Sequence, residues 1–181
     1  IDPDPSCPLP GGVLNGDFEG TGGWELYQSS IQPNVGEQGS RGLVLAPDLA
    51  CAGAAAMGLL SIPAQGANAL QLRYGGVAGS DVEISLADWK LARLVARGGG
   101  VLDTVALCIP EALKGAAPSI QLIMRESSAD CGAADPRRLY VDDVALVYDP
   151  TCGTDASVLN GSFERTDPAL GWYLAMINNR S

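Results

Sequence analysis

Histidine is absent from all 181 residues. That one gap excludes Ser-His-Asp and Cys-His nucleophilic sites, HExxH metal sites and imidazole acid–base chemistry together. Basic side chains are few, 11 Lys and Arg against 21 Asp and Glu, for a net charge of −10. Phosphate recognition needs clustered cations, so nucleic acid and anionic membrane surfaces are excluded as partners. No CxxC occurs, which removes zinc-ribbon and thioredoxin readings. The longest apolar stretch, Leu43 to Leu60, is interrupted by Pro47 and Asp48. An Asp in mid-bilayer costs ~2.5–3.5 kcal/mol, so no membrane helix is expected there. The chain opens Ile1-Asp2-Pro3-Asp4-Pro5, without Met or a charged-then-apolar leader, and reads as a mature or trimmed product.

What is present describes a folded β protein. Hydrophobic residues at 46% and charged residues at 18% exclude a disordered chain. Segments 13–19, 42–46, 68–74, 81–86, 101–108, 118–125 and 139–148 read as short strands between Gly, Pro, Asn and Asp clusters. In Leu70-Gln71-Leu72-Arg73-Tyr74 and in Ile120-Gln121-Leu122 apolar and polar side chains alternate, the period of a half-buried antiparallel strand. Tyr140 to Tyr148 is apolar on both faces except at Asp142 and Asp143, as a central strand would be. Pro110 to Gly115 predicts a single helical turn, and the Ala-rich run around Ala54 suits either a short helix or a small-residue strand. Many short strands at regular spacing predict an all-β, antiparallel two-sheet sandwich.

Five cysteines stand at 7, 51, 108, 131 and 152. Such wide spacing in an acidic chain suits structural disulfides made in an oxidising compartment, so a secreted or cell-surface location is expected. An internal repeat accounts for the odd count. Asp4-Pro5-Ser6-Cys7 matches Asp149-Pro150-Thr151-Cys152, and Val13-Leu14-Asn15-Gly16-Asp17-Phe18-Glu19 matches Val158-Leu159-Asn160-Gly161-Ser162-Phe163-Glu164. Cys7 to Cys152 and Asn15 to Asn160 are both 145 positions apart. Residues 1–149 therefore read as one complete unit, and residues 150–181 as the start of a second that cannot fold alone. Four cysteines in one unit allow three connectivities. Cys108 and Cys131 flank one predicted strand, which favours Cys108–Cys131 with Cys7–Cys51 and leaves the partner of Cys152 outside the chain.

Asn15-Gly16-Asp17-Phe18-Glu19 followed by Gly23-Trp24 resembles the opening of carbohydrate-binding modules of the family 4/9 type. Gly39-Ser40-Arg41-Gly42-Leu43-Val44-Leu45, Trp89 and Tyr140-Val141-Asp142-Asp143-Val144-Ala145-Leu146 are similar to their later landmarks, so the likeness frames residues 13–148. The resemblance implies a galactose-binding-like jelly roll whose first and last strands are neighbours, a non-catalytic role in binding glycans, and a structural calcium ion. Asp143 shares its expected strand face with Val141, Ala145 and Val147, and a carboxylate among apolar neighbours needs a cation or donors. With the terminal strands adjacent, Glu19, Asp143 and Ser40 are the expected calcium ligands; hydrogen bonds from turn amides to Glu19 and Asp143 are the alternative.

Glycan recognition needs rings for sugar faces and polar side chains for hydroxyls. The candidates are Trp24, Tyr27, Trp89, Gln71, Arg73, Gln121 and Arg125. An enzyme would require paired carboxylates, and Glu83, Glu111 and Glu126 are not paired by any motif. The expectation is a non-catalytic extracellular module that binds polysaccharide or cell-surface glycan. The alternative is a self-assembling subunit of a fibre or coat, in which residues 150–181 add a strand to another copy.

Overall fold

The computed structural model describes residues 12–49, 52–126 and 136–152. Cys7, Cys51, Cys131 and nearly all of the partial second repeat lie outside these segments. The described chain forms eleven strands: β1 (Gly12–Val13), β2 (Trp24–Tyr27), β3 (Ser29–Gln32), β4 (Gly42–Leu45), β5 (Ala54–Ser61), β6 (Ala69–Gly76), β7 (Asp81–Leu86), β8 (Trp89–Val95), β9 (Asp103–Cys108), β10 (Ser119–Met124) and β11 (Leu139–Val147). One sheet has the order β1-β5-β10-β7-β8, with β2 also paired to β5; the other runs β3-β4-β11-β6-β9. All strand pairs are antiparallel. The expected β-sandwich is what forms. Among the described residues no helix is long and apolar enough to cross a membrane.

Alternation builds the core. In β7 and β10 every second residue is buried, so Val82, Ile84, Leu86, Ile120, Leu122 and Met124 meet Leu43, Leu45, Leu70, Leu72, Leu139 and Val141 of the facing sheet. Glu111–Leu113 makes the one expected turn of helix, a 3-10 turn that buries Leu113. The Ala-rich run resolves as a strand because its small residues lie flat between β2 and β10.

Two expectations at the ends of the unit are corrected. Of the predicted strand 13–19 only Val13 is strand, and with Gly12 it pairs with β5 rather than with β11. Residues 14–18 turn instead, because Asn15 and Phe18 adopt positive φ, 51° and 56°. The turn still touches the last strand: Val144 N–H donates to the Gly16 carbonyl at 2.8 Å. A Cβ on Gly16 would strike the Val144 carbonyl, so glycine is required there for close approach.

The disulfide is the second correction. Cys108 is bonded to Cys152, with Cα atoms 5.3 Å apart, and not to Cys131. Cys108 and Cys131 flank β10 in sequence, but Cys108 ends β9, which belongs to the opposite sheet. Ala69 of β6 faces Val147 on one side and Cys108 on the other, so a chain leaving β11 need cross only one strand to reach Cys108. A loop of separation 44 closed in this way contributes about 4 kcal/mol in the chain-entropy picture. Replacing both Cys108 and Cys152 by Ser is expected to lower unfolding free energy by about 2–4 kcal/mol, read from denaturant midpoints at constant m.

Candidate functional site

Two places draw functional side chains together. The first is a carboxylate knot beside β11. A register shift between Asp142 and Ala145, with Asp143 at φ 50°, breaks the alternation of this strand. Asp142, opposite Arg73 on the outer face of its sheet, is only 1% exposed because the 36–41 loop covers it, and Asp143, expected among the inward residues, faces outward. Asp142 Oδ2 accepts the Glu37 N–H at 2.7 Å and the Ser40 hydroxyl at 2.9 Å, and Oδ1 accepts the Asp143 N–H at 2.9 Å. Glu19 reaches the same loop, accepting the Arg41 N–H at 2.7 Å. Asp143 instead faces Arg73 at 3.1 Å, and Arg73 also holds Glu37 at 2.7 Å. Burial, then the like charge of Asp142, pushes the Asp143 carboxyl above its ordinary value; Arg73 opposes this, while Glu37 and Asp17 add to it. Around Asp142 the partners are N–H and O–H donors, so both carboxylate oxygens are hydrogen-bonded. Among the described residues no three His, Cys, Asp or Glu side chains are grouped closely enough to hold a metal ion.

The motif at the amino-terminal end is explained by the same region. Asn15 Oδ1 accepts the Gly20 N–H at 2.7 Å and Nδ2 donates to the Gly22 carbonyl at 2.9 Å, closing the loop. Trp24 Nε1 donates to the Asn15 carbonyl at 3.0 Å. Its ring sits 5.1 Å from that of fully buried Phe18 and covers Gly58, where a Cβ would lie 2.9 Å from the indole. Trp24 is thus committed to packing and is not a ligand platform.

The second place is the outer face of the β5-β10-β7 sheet. Strand register lays its side chains in rows. Glu25, Met57, Gln121, Ser85 and Lys90 form one; Tyr27, Ala55, Ile123, Glu83 and Arg93 form the next. Tyr27 is 63% exposed. Beside it two contiguous shallow depressions, about 370 and 530 Å³, share Tyr27, Ala55 and Ile123. Gln121 and Met57 line the first, Arg125 and Glu126 the second. A third hollow at Val13, Leu14 and Leu59 is almost wholly apolar and offers few groups to read a hydroxyl.

Of the seven expected ligand residues, Tyr27, Gln121 and Arg125 come together here. Gln71 and Arg73 lie on β6, in the other sheet, and face the opposite side of the molecule. Trp89 opens β8 at the far edge from Tyr27, four strand spacings or about 19 Å away across the sheet. Met57 and Ile123 were not among the expected ligand residues, and Glu83 was considered only as a carboxylate an enzyme would need; their outward period-two positions were the available signal.

Glu83 organises the charge on this face. It binds Lys90 at 2.6 Å and Arg125 at 3.0 Å, and Asp81 binds Arg93 at 2.8 Å. Burial raises the Glu83 pKa, but the hydrogen bonds and charges of Arg125 and Lys90 outweigh it and hold the carboxyl below its ordinary value. A carboxyl kept ionised between two cations is a poor general acid. Glu111 is taken by Lys114 at 2.6 Å and lies on the 3-10 turn, away from this face.

No protein-family model matches the sequence, and no curated protein matches it. Solved structures do share the fold. TmCBM61, solved in complex with β-1,4-galactotriose, matches with a TM-score of 0.54 at 10% identity, over 75% of this chain and 96% of that one. The family 11 carbohydrate-binding module of the cellulosomal cellulase Lic26A-Cel5E of Clostridium thermocellum matches at 0.51 and 13% identity, over 77% and 95%. The CBM22-1-GH10 modules of Clostridium thermocellum xylanase 10B, complexed with xylohexaose, match at 0.51 and 15% identity, over 77% of this chain and 29% of that one. The chain therefore has the jelly-roll fold of carbohydrate-binding modules.

The sign of the Glu83 shift gives a pH test. A depressed folded value stabilises the fold above the ordinary Glu value of 4.5, and that contribution is lost as pH falls through the folded value. Glu83→Gln is expected to be less stable than the parent at pH 7. The two unfolding curves are expected to converge by about pH 3.

Proposed function

We propose that this chain is a non-catalytic, secreted module that binds a neutral polysaccharide across the outer face of the β5-β10-β7 sheet. The observation that carries this reading is the exposed Tyr27 ring standing beside the two depressions lined by Met57, Ile123, Gln121 and Arg125. A sugar ring presents C–H groups on one face and hydroxyls at its rim. The tyrosine and the apolar floor accept the face, and Gln121, Glu83 and Arg125 exchange hydrogen bonds with the rim. Glu83 and Asp81 hold Lys90, Arg93 and Arg125 in ion pairs, and Glu25 and Glu126 also line the depressions, so a neutral glycan suits the face better than a uronate polymer. The structural neighbours support this, since TmCBM61 and the family 22 module are solved with oligosaccharides. The Cys108–Cys152 bridge favours an oxidising compartment.

Titration with neutral xylan, β-glucan and galactan oligosaccharides by calorimetry tests the assignment. Tyr27→Ala is expected to weaken binding about tenfold, or about 1.4 kcal/mol, while Arg73→Ala on the other sheet leaves it unchanged. Equal loss from both variants would remove this face from consideration.

Calcium is a separate proposal, moved from Asp143 to Asp142. Burial, and then the like charges of Asp142, Glu37 and Asp17, raise the Asp143 carboxyl against the opposing Arg73, and a hard cation held by Asp142 and Ser40 would lessen the repulsion. Calcium is expected to raise the thermal midpoint by a few degrees, reversibly with EDTA. An unchanged midpoint would leave the hydrogen-bonded knot as the whole of this site.

A further inference from the structure

The outer face that carries Tyr27 changes character along β5. Ala55, Met57, Leu59 and Ser61 are its outward positions, and the residues between them are buried. Beside Ala55 stand Tyr27 and Ile123, with Glu83 beyond, and beside Met57 stand Glu25 and Gln121. At Leu59 the charges stop. Ser119 lies on one side, and on the other Leu14, whose N–H donates to the Leu59 carbonyl at 3.0 Å. Leu14 and Leu59 are 56% and 60% exposed and take no part in the buried core. Exposed leucines scattered singly need no explanation, but two set side by side around a concavity mark a binding surface.

That concavity is the third hollow, about 310 Å³. No titratable side chain lines it among the described residues, and its polar side chains are Asn15 and Ser61. Asn15 is spent on Gly20 and Gly22, which leaves Ser61 to bond a ligand. A sugar needs partners around its rim, and one serine cannot supply them. A carboxylate or phosphate meets no cation in the hollow and is repelled by Glu25, opposite Met57. An apolar cavity of about 150 Å³ admits a benzene ring, so this hollow has room for a substituted one. A long alkyl chain would overrun it and leave methylenes in water. An ester carbonyl accepts a hydrogen bond, and a serine hydroxyl gives one. Met57 and Leu59 are successive outward positions, about 7 Å apart. A sugar seated over Met57 and Gln121 therefore delivers a substituent straight into the hollow.

We propose that the hollow receives an aromatic acyl group esterified to the bound polysaccharide, its ring between Leu14 and Leu59 and its ester carbonyl on Ser61. The inference rests on the glycan face argued above and narrows its ligand to a neutral chain bearing uncharged aryl esters. The chain lies along β5, with its decorated sugar toward Leu59.

The test titrates the 181-residue chain by calorimetry with a xylo-oligosaccharide carrying one hydroxycinnamoyl ester, and with the same oligosaccharide after alkaline de-esterification. The ester is expected to tighten binding about tenfold. Leu59→Ser, at an exposed position, is expected to fold as the parent does, to remove that gain and to leave the de-esterified affinity unchanged. Tyr27→Ala is expected to weaken both ligands by the same factor, which separates the glycan face from the hollow. Equal affinity for the two ligands, or a gain that survives Leu59→Ser, overturns the proposal. If neither oligosaccharide binds, methyl hydroxycinnamate is followed through the Leu14 and Leu59 methyl resonances. Shifts in both support the aryl site and remove the glycan face, whereas unmoved signals overturn the aryl site as well. Tighter binding of an alkyl glycoside than of the aryl ester overturns it in favour of a lipid chain. A dimer that Leu59→Ser abolishes in sedimentation overturns it in favour of a second copy.

Discussion

The carboxylate of Asp142 is buried between β11 and the 36–41 loop, and one end of the molecule is arranged around keeping it hydrogen-bonded. An ionised group without partners in such a place is strongly destabilising. Its donors come from the 36–41 loop and from the bulge of its own strand. The bulge that follows Asp142 also sets the Val144 N–H against the Gly16 carbonyl, and so seats the turn that carries Phe18 into the core. Central strand, Gly-rich loop and amino-terminal turn are therefore one cooperative assembly. The conformation of each makes sense only with the other two in place.

The two sheets divide the work. The sheet that contains β11 holds this knot, the Arg73 ion pairs and the Cys108–Cys152 bridge, all of which fix the chain's path. The other sheet presents an outer face with Ala55, Met57, Gln121 and Ile123 across its middle, the exposed Tyr27 ring at its edge and cations already paired with acids. A face of that kind is shaped for a flat, hydroxyl-rich ligand that needs hydrogen bonds more than charge. One ring gives limited stacking area, so affinity depends on the polar row behind it.

Alternation made β6, β7, β10 and β11 legible, because their inward residues are large and aliphatic and their outward ones polar. The edge strands β2, β3 and β8 were not anticipated. Trp24-Glu25-Leu26-Tyr27 is largely exposed and Ser29 to Gln32 mostly polar, so neither carries a two-sided pattern. Gln71 and Arg73 looked equivalent to Gln121 and Arg125, since both pairs sit at outward positions of alternating strands. Periodicity tells which side of its own strand a residue occupies, but not which sheet the strand joins. Asp142 and Asp143 were exchanged for a related reason: the bulge takes Asp143 off the inward face, and the 36–41 loop, which periodicity does not reveal, buries Asp142.

Local chemistry alone determined the all-β class, the positions of most core residues and the absence of imidazole chemistry, because these follow from composition and a period of two along each strand. The resemblance of the terminal motifs pointed to the jelly roll before any coordinates. Tertiary structure decided everything that depends on which strands are neighbours: Tyr27 with Gln121 and Arg125, Trp24 against Phe18, and Cys108 with Cys152. The motif around Cys152 shows why. Its sequence matches the one around Cys7, whereas its partner is set by a single strand's width between β11 and β9, a distance that exists only after the sheet has assembled.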